Sequence, residues 1–139
     1  MRENTPISKI MTKNVITVNH NDDLETAEHI FKTKHIRHIP VIKNKMVVGM
    51  LSYTDLLRIS FADAVDEDED YVDTVVYNMF TIEQVMAKKL TSVESTTTIK
   101  EAAEVLAEKE FHALPVVDNG KLVGIVTTTD LIKYLLEQY

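Results

Sequence analysis

A chain of 139 residues that is 45% hydrophobic, with three glycines, three prolines and no cysteine, suits one compact unit or two half-sized lobes sharing a core, and it excludes disulfides and a thiolate nucleophile. The net charge of −7 is concentrated: seven acids (Asp63, Asp66, Glu67, Asp68, Glu69, Asp70, Asp73) and no Lys or Arg lie between Ser60 and Phe80, leaving 15 acids against 15 bases elsewhere. That balance disfavours nucleic-acid binding, which needs surplus Lys and Arg; with no apolar run near the ~20 residues of a bilayer span and no signal pattern at the start, the expectation is a cytoplasmic chain that makes no membrane contact of its own.

In chain order, the first signal is Thr5 with Pro6, which predicts a short helix with proline at its first position, ending near Met11. A β-rich run follows at Val15, Ile16, Thr17 and Val18. Asp22 with Glu25 then reads as the cap of a helix burying Leu24, Ala27, Ile30 and Phe31. Strands over 39–42 and 46–51 flank Asn44-Lys45. Pro40 cannot donate to a ladder, so it is expected at an edge or strand entrance, with neighbouring backbone groups free for a ligand. A closing helix begins at Thr54-Asp55 and carries Leu56, Leu57 and Ile59.

The acidic insertion comes next. It lacks the alternate spacing and the glycine of a calcium loop, so it reads as a solvated run. Val72, Val75, Val76 and Met79 recur at helical spacing and predict a helix over 70–80.

Beyond it the first set of signals returns. Residues 7–60 lie over 82–135 without a gap, an offset of 75, matching Met11 with Met86, Pro40 with Pro115, Gly49 with Gly124 and Asp55 with Asp130. Thr81 with Gln84 and Thr98 with Glu101 read as capping boxes. Leu90, Thr91, Ser92 and Val93 form the β-rich run, and the second helix buries Ile99, Ala102, Val105 and Leu106. Strands over 114–117 and 122–126 flank Asn119-Gly120, a type I′ hairpin signal. The last helix starts at Thr129-Asp130 and carries Leu131, Ile132, Leu135 and Leu136.

The predicted organisation is therefore α+β: a first repeat over 1–60, the acidic insertion over 61–80 and a second repeat over 81–139. The runs Val47, Val48, Met50, Leu51 and Leu122, Val123, Ile125, Val126 are apolar on both faces. Packing the copies against each other about a pseudo-twofold axis would cover them and create two equivalent clefts.

Chemistry points to one constellation. Gly49-Met50-Leu51-Ser52-Tyr53-Thr54-Asp55 and Gly124-Ile125-Val126-Thr127-Thr128-Thr129-Asp130 share glycine, hydroxyl, hydroxyl and aspartate at one spacing. A strand ends there and a helix begins, so hydroxyls and free amides can hold a phosphate, and the acceptor-only carboxylate suits a pair of ribose hydroxyls. Ser, Thr and Asp at such junctions are also ordinary helix caps. Duplication of all four residues, in register with an upstream Ile/Leu-Pro-Val, shifts the balance toward a nucleotide. His29, His35 and His38 fall on different elements, so no metal site is expected. No P-loop, nucleophile–base pair or metal-ligand spacing supports catalysis.

Ile10-Met11-Thr12 with Val85-Met86-Ala87, Ile39-Pro40-Val41 with Leu114-Pro115-Val116, and the two glycine-to-aspartate motifs resemble a tandem pair of CBS domains, a Bateman module. The resemblance implies two β-α-β-β-α units and a non-catalytic regulatory module that senses an adenosyl ligand and alters its contacts with a partner. It implies one cleft built from Thr127, Thr129 and Asp130 with Thr12, Val15, Ile16, Thr17, Ile36, Arg37, His38 and Pro40. The other would use Ser52, Thr54 and Asp55 with Leu90, Thr91, Ser92, Phe111, His112 and Pro115. Arg37 and His38 could pair with a phosphate, whereas the second cleft offers His112 alone and has Ala87 where the first has Thr12, so the Asp130 cleft is expected to dominate. No cofactor is required; an adenine nucleotide (AMP, ADP, ATP) or S-adenosylmethionine is the expected regulatory ligand. A homodimer built on the closing helices and an effector protein of unknown identity are the expected partners. The competing expectation is a constitutive dimerisation scaffold with empty clefts.

Overall fold

The structure is a computed structural model that describes residues 4–62, 79–109 and 111–139. The expected helix over 70–80 and the acidic run before it lie almost wholly outside these residues. The chain divides into two compact units that are offset from the sequence repeat: one is Ile16–Lys89, and the other joins Met1–Val15 to Leu90–Tyr139. The head of each repeat thus belongs with the sheet of the other repeat.

In the first unit, β1 (Val18–Asn19), α1 (Leu24–Lys34), β2 (His38–Lys43), β3 (Met46–Ser52), α2 (Tyr53–Ala62) and α3 (Ile82–Val85) follow in order. The sheet runs β1-β2-β3, with β1 parallel and β3 antiparallel to β2. Val18, Leu24, Ala27, Phe31, Ile39, Val41, Leu51, Leu56, Ile82 and Met86 form its core. Burial of such side chains is worth roughly 1.5–3 kcal/mol each. Ile30 is only half-buried at the edge of this cluster.

The cap of α1 is one residue later than the sequence predicts. Asp23 accepts from Thr26 N–H at 2.8 Å, while Asp22 accepts from Asn19 N–H at 2.8 Å and so closes the turn after β1. At the other end His35 takes a left-handed conformation (φ 55) that stops the helix. Asn44 (φ 51) and Lys45 (φ 67) both take positive φ, as a type I′ turn demands.

The hairpin's register explains the long apolar run in β3. Val41 faces Gly49 but Ile42 faces Val47, so Val48 is an extra residue, a β-bulge. The bulge shifts the side-chain alternation by one, and Val48 and Leu51, three apart, both pack on the same core.

Pro40 departs from expectation, because β2 is the middle strand rather than an edge. Pro40 faces Met50, whose N–H and C=O are both committed elsewhere, to Ala87 O (3.0 Å) and Ala87 N (2.9 Å). The Pro40–Met50 pair therefore exchanges no ladder bonds, and a missing N–H costs the hairpin nothing. On its other side β1 pairs only with Val41 and Ile42.

The second unit contains a 3₁₀ turn (Ile7–Lys9), α4 (Ile99–Glu108), β4 (Ala113–Asp118), β5 (Lys121–Thr127) and α5 (Thr128–Glu137). Its hairpin repeats the bulge, at Val123, and the type I′ turn, at Asn119 (φ 52) and Gly120 (φ 80). Ile7, Val93, Ile99, Ala102, Leu106, Leu114, Val116 and Val126 form its core. Both predicted capping boxes are present, Thr81 with Gln84 and Thr98 with Glu101.

Two expectations are corrected here. Pro6 precedes the short helix in extended geometry (φ −74, ψ 152), because Thr5 O accepts from Ile99 N–H (2.9 Å) and Pro6 bridges Thr98. The β-rich run at 90–93 reduces to a bridge between Val93 and Val116, just as 15–18 reduces to Val18–Asn19. Val93 N–H donates to Pro115 O (3.1 Å) and Val117 N–H to Val93 O (2.8 Å); the next bond back would need a donor at the nitrogen of Pro115. Proline thus ends the parallel ladder.

Candidate functional site

The two glycine-to-aspartate motifs fold alike. In the first, Ser52 Oγ accepts from Asp55 N–H at 3.1 Å and Asp55 Oδ2 accepts from Ser52 N–H at 3.1 Å. In the second, Thr127 Oγ1 accepts from Asp130 N–H at 3.1 Å and Asp130 Oδ2 accepts from Thr127 N–H at 3.0 Å. These are reciprocal capping boxes with aspartate in the place usually held by Glu or Gln. Capping is therefore real at both sites, and it uses one hydroxyl and one carboxylate oxygen.

What capping does not use is more informative. Thr54 and Thr129 lie one residue before each aspartate, are exposed, and make no hydroxyl hydrogen bond among the described residues. Asp130 Oδ1 likewise accepts no hydrogen bond among the described residues, whereas Asp55 Oδ1 lies 3.6 Å from Arg58 Nη1. Each aspartate is half-buried at the positive end of a ten-residue helix, where anions and hydrogen-bond acceptors are favoured.

Neighbouring strands complete each helix start. Tyr53 N–H donates to Arg37 O (2.9 Å), which fixes the Arg37 backbone beside Ser52 and Asp55; Thr128 N–H donates to His112 O (3.0 Å), which does the same for His112 beside Thr127 and Asp130. Thr12 exchanges both backbone bonds with Ile125 (2.8 and 3.0 Å), two residues before Thr127. Ala87 does so with Met50 in the other unit.

The expected site residues divide between the units. Ile16, Thr17, Ile36, Arg37, His38, Pro40, Ser52, Thr54 and Asp55 lie in one; Thr12, Val15, Leu90, Thr91, Ser92, Phe111, His112, Pro115, Thr127, Thr129 and Asp130 lie in the other. Sequence reading missed Arg58. Its spacing of three from Asp55 on a helix was the available signal.

This pairing of duplicated hairpins with capped helix starts defines a class that the comparisons identify. The CBS domain family model matches residues 7–62 and again 82–137. The chain belongs to the CBS domain family and carries a tandem pair of its repeats. It is 30% identical over 133 residues to the protein MJ1225 of Methanocaldococcus jannaschii, spanning 95% of this chain but 43% of that protein; a second protein of the same organism, MJ1404, is likewise spanned over only 33% of its length. The structure of CBSX2 in complex with AMP superposes with a TM-score of 0.79 at 26% identity, covering 96% of this chain and 97% of that one. The CBS domain pair of protein MJ0100, in complex with 5′-methylthioadenosine and S-adenosyl-L-methionine, gives a TM-score of 0.81 at 23% identity, covering 97% and 98%. Among the described residues no helix is long and apolar enough to cross a membrane.

Proposed function

We propose that this CBS pair is a non-catalytic regulatory module that binds an adenosyl ligand through its two glycine-to-aspartate motifs and changes its contacts with a partner protein when it does so. The observation that carries this reading is the surplus at each motif. A cap is complete with Ser52 or Thr127 and one oxygen of the aspartate. The exposed hydroxyls of Thr54 and Thr129 and the second oxygen of Asp130 have no structural employment among the described residues. A hydroxyl and a carboxylate oxygen on the first turn of a helix offer a nucleotide one contact for phosphate and one for a ribose diol. AMP in CBSX2, a protein 26% identical over nearly this whole chain, supports the ligand class.

The ligand-contacting residues in this reading centre on the two glycine-to-aspartate motifs, with Asp130 the stronger site because its second carboxylate oxygen is open among the described residues whereas that of Asp55 faces Arg58. The module acts as a homodimer. Ile132 and Leu136 on α5 are 57% and 67% exposed, and Leu57 on α2 is 42% exposed, more apolar surface than a helix turned to water carries.

A thermal-shift screen of AMP, ADP, ATP, NAD and S-adenosylmethionine tests the ligand class. At 100 times its dissociation constant a true ligand adds ~2.7 kcal/mol of stability. No shift with any of them would leave a constitutive dimerisation scaffold with empty clefts as the better account.

A further inference from the structure

The two repeats differ where they should be most alike. Asp55 has both oxygens engaged, Oδ2 by Ser52 N–H at 3.1 Å and Oδ1 by the guanidinium of Arg58 at 3.6 Å. Asp130 has Oδ2 engaged by Thr127 N–H, and the equivalent of Arg58 is Lys133, which is exposed and makes no ion pair with Asp130 among the described residues. A ribose diol arriving at Asp130 finds an open acceptor. One arriving at Asp55 competes with the exposed guanidinium of Arg58 for the second carboxylate oxygen.

We propose that Arg58 is a specificity-determining residue that makes the Asp55 motif selective for adenosyl ligands bearing a phosphate, while the Asp130 motif takes charged and uncharged adenosyl ligands alike. This rests on the adenosyl-binding reading above. Arg58 is 74% exposed, so swinging its side chain off the carboxylate costs little packing. Once displaced, the guanidinium stands one helical turn beyond Thr54 on α2, and it regains its lost partner only if the ligand supplies an anion. Its planar fork matches two phosphate oxygens, which the compact, strongly hydrated ammonium of Lys133 does not. A neutral ligand such as 5′-methylthioadenosine loses the Asp55–Arg58 attraction without replacing it.

The test is an amide NMR titration of the full chain with AMP and with 5′-methylthioadenosine, reading Tyr53 and Asp55 for one motif and Thr128 and Asp130 for the other. In the wild type the Asp55 motif should favour AMP over 5′-methylthioadenosine. Arg58→Gln should lower that ratio about two- to five-fold, the range open to one exposed charge, and leave the ratio at Asp130 unchanged. Arg58→Lys should reproduce most of the loss, because it keeps the charge and removes the fork. An unchanged ratio in Arg58→Gln overturns the proposal, as does a wild type in which only the Asp130 motif responds. If neither ligand moves amides at either motif, the adenosyl-binding reading itself fails, which is a different result.

Discussion

Gly124 lies directly under the thioether of Met11: a Cβ added there would come within 2.6 Å of the sulfur and 3.0 Å of the Thr12 carbonyl oxygen. Gly49 stands in the same relation to Met86, whose Cγ would be 2.8 Å away. The glycines are thus kept by close approach rather than by backbone freedom. Each methionine closes the core of the unit that its chain segment joins. Because Met86 is 9% exposed, it has little room to retreat. Gly49→Ala should cost about 1–3 kcal/mol as overpacking. The double variant with Met86→Ala should be less destabilised than the sum of the singles by roughly 1 kcal/mol or more, and urea unfolding of all four proteins measures the coupling. Strict additivity would place the alanine methyl somewhere other than against Met86.

The same relationship marks how far the sequence could be read. The hairpins, the second and closing helices of each repeat and the capping boxes follow from periodicity and turn residues, which are local properties; that the chain builds two cores rather than one shared core does not. The pairing of Met11 with Gly124 was visible only as two conserved spacings within the repeat, since nothing local says that the head of one repeat joins the sheet of the other. Likewise, Pro40 read as an edge or strand-entrance residue because one strand cannot reveal that it is the middle of three or that its neighbour β1 stops short. The aspartates were legible as cap or ligand group. That they serve as caps through one oxygen, and that Asp55 alone is met by Arg58, needed three dimensions.

Lys45 occupies a left-handed position (φ 67) where the second repeat has Gly120 (φ 80). For an L-residue this conformation costs roughly 1–2 kcal/mol, partly offset by the greater chain entropy that glycine loses on folding. Lys45→Gly should therefore stabilise the protein by about 0.5–1 kcal/mol in thermal or urea unfolding. A neutral or destabilising outcome would mean that the lysine side chain repays the backbone strain.

Asp118 accepts from the hydroxyl of Ser95 (2.5 Å) and from its backbone N–H (2.9 Å), which together hold its carboxyl below the usual carboxylate range. A depressed folded value means that the contribution is full above the unfolded carboxylate pKa of about 3.9 and fades as pH falls through the folded value. Asp118→Asn should therefore be less stable than the wild type near neutral pH, with the gap narrowing below about pH 4. A gap independent of pH would assign the loss to geometry instead of charge.

The exposed apolar face of α5 predicts association. Static light scattering at low micromolar concentration should report a dimer, and Ile132→Glu or Leu57→Glu should shift it to monomer without unfolding the chain, as judged by circular dichroism. A monomeric wild type across that range contradicts the assembly and leaves the ligand reading untouched.

The most direct test of adenosyl sensing is calorimetric titration of the wild type and of Asp130→Asn with AMP and S-adenosylmethionine. The asparagine keeps an acceptor for Thr127 N–H, so the cap survives, but it presents an amide N–H₂ where a ribose diol needs an acceptor. At least one ligand should bind the wild type with a dissociation constant between about micromolar and sub-millimolar, roughly −8 to −5 kcal/mol. Asp130→Asn should weaken it by about 1.5–3 kcal/mol, the worth of a charge-assisted hydrogen bond, and Asp55→Asn should weaken it less. Wild type that binds neither ligand, or binding that Asp130→Asn leaves intact, would contradict the account.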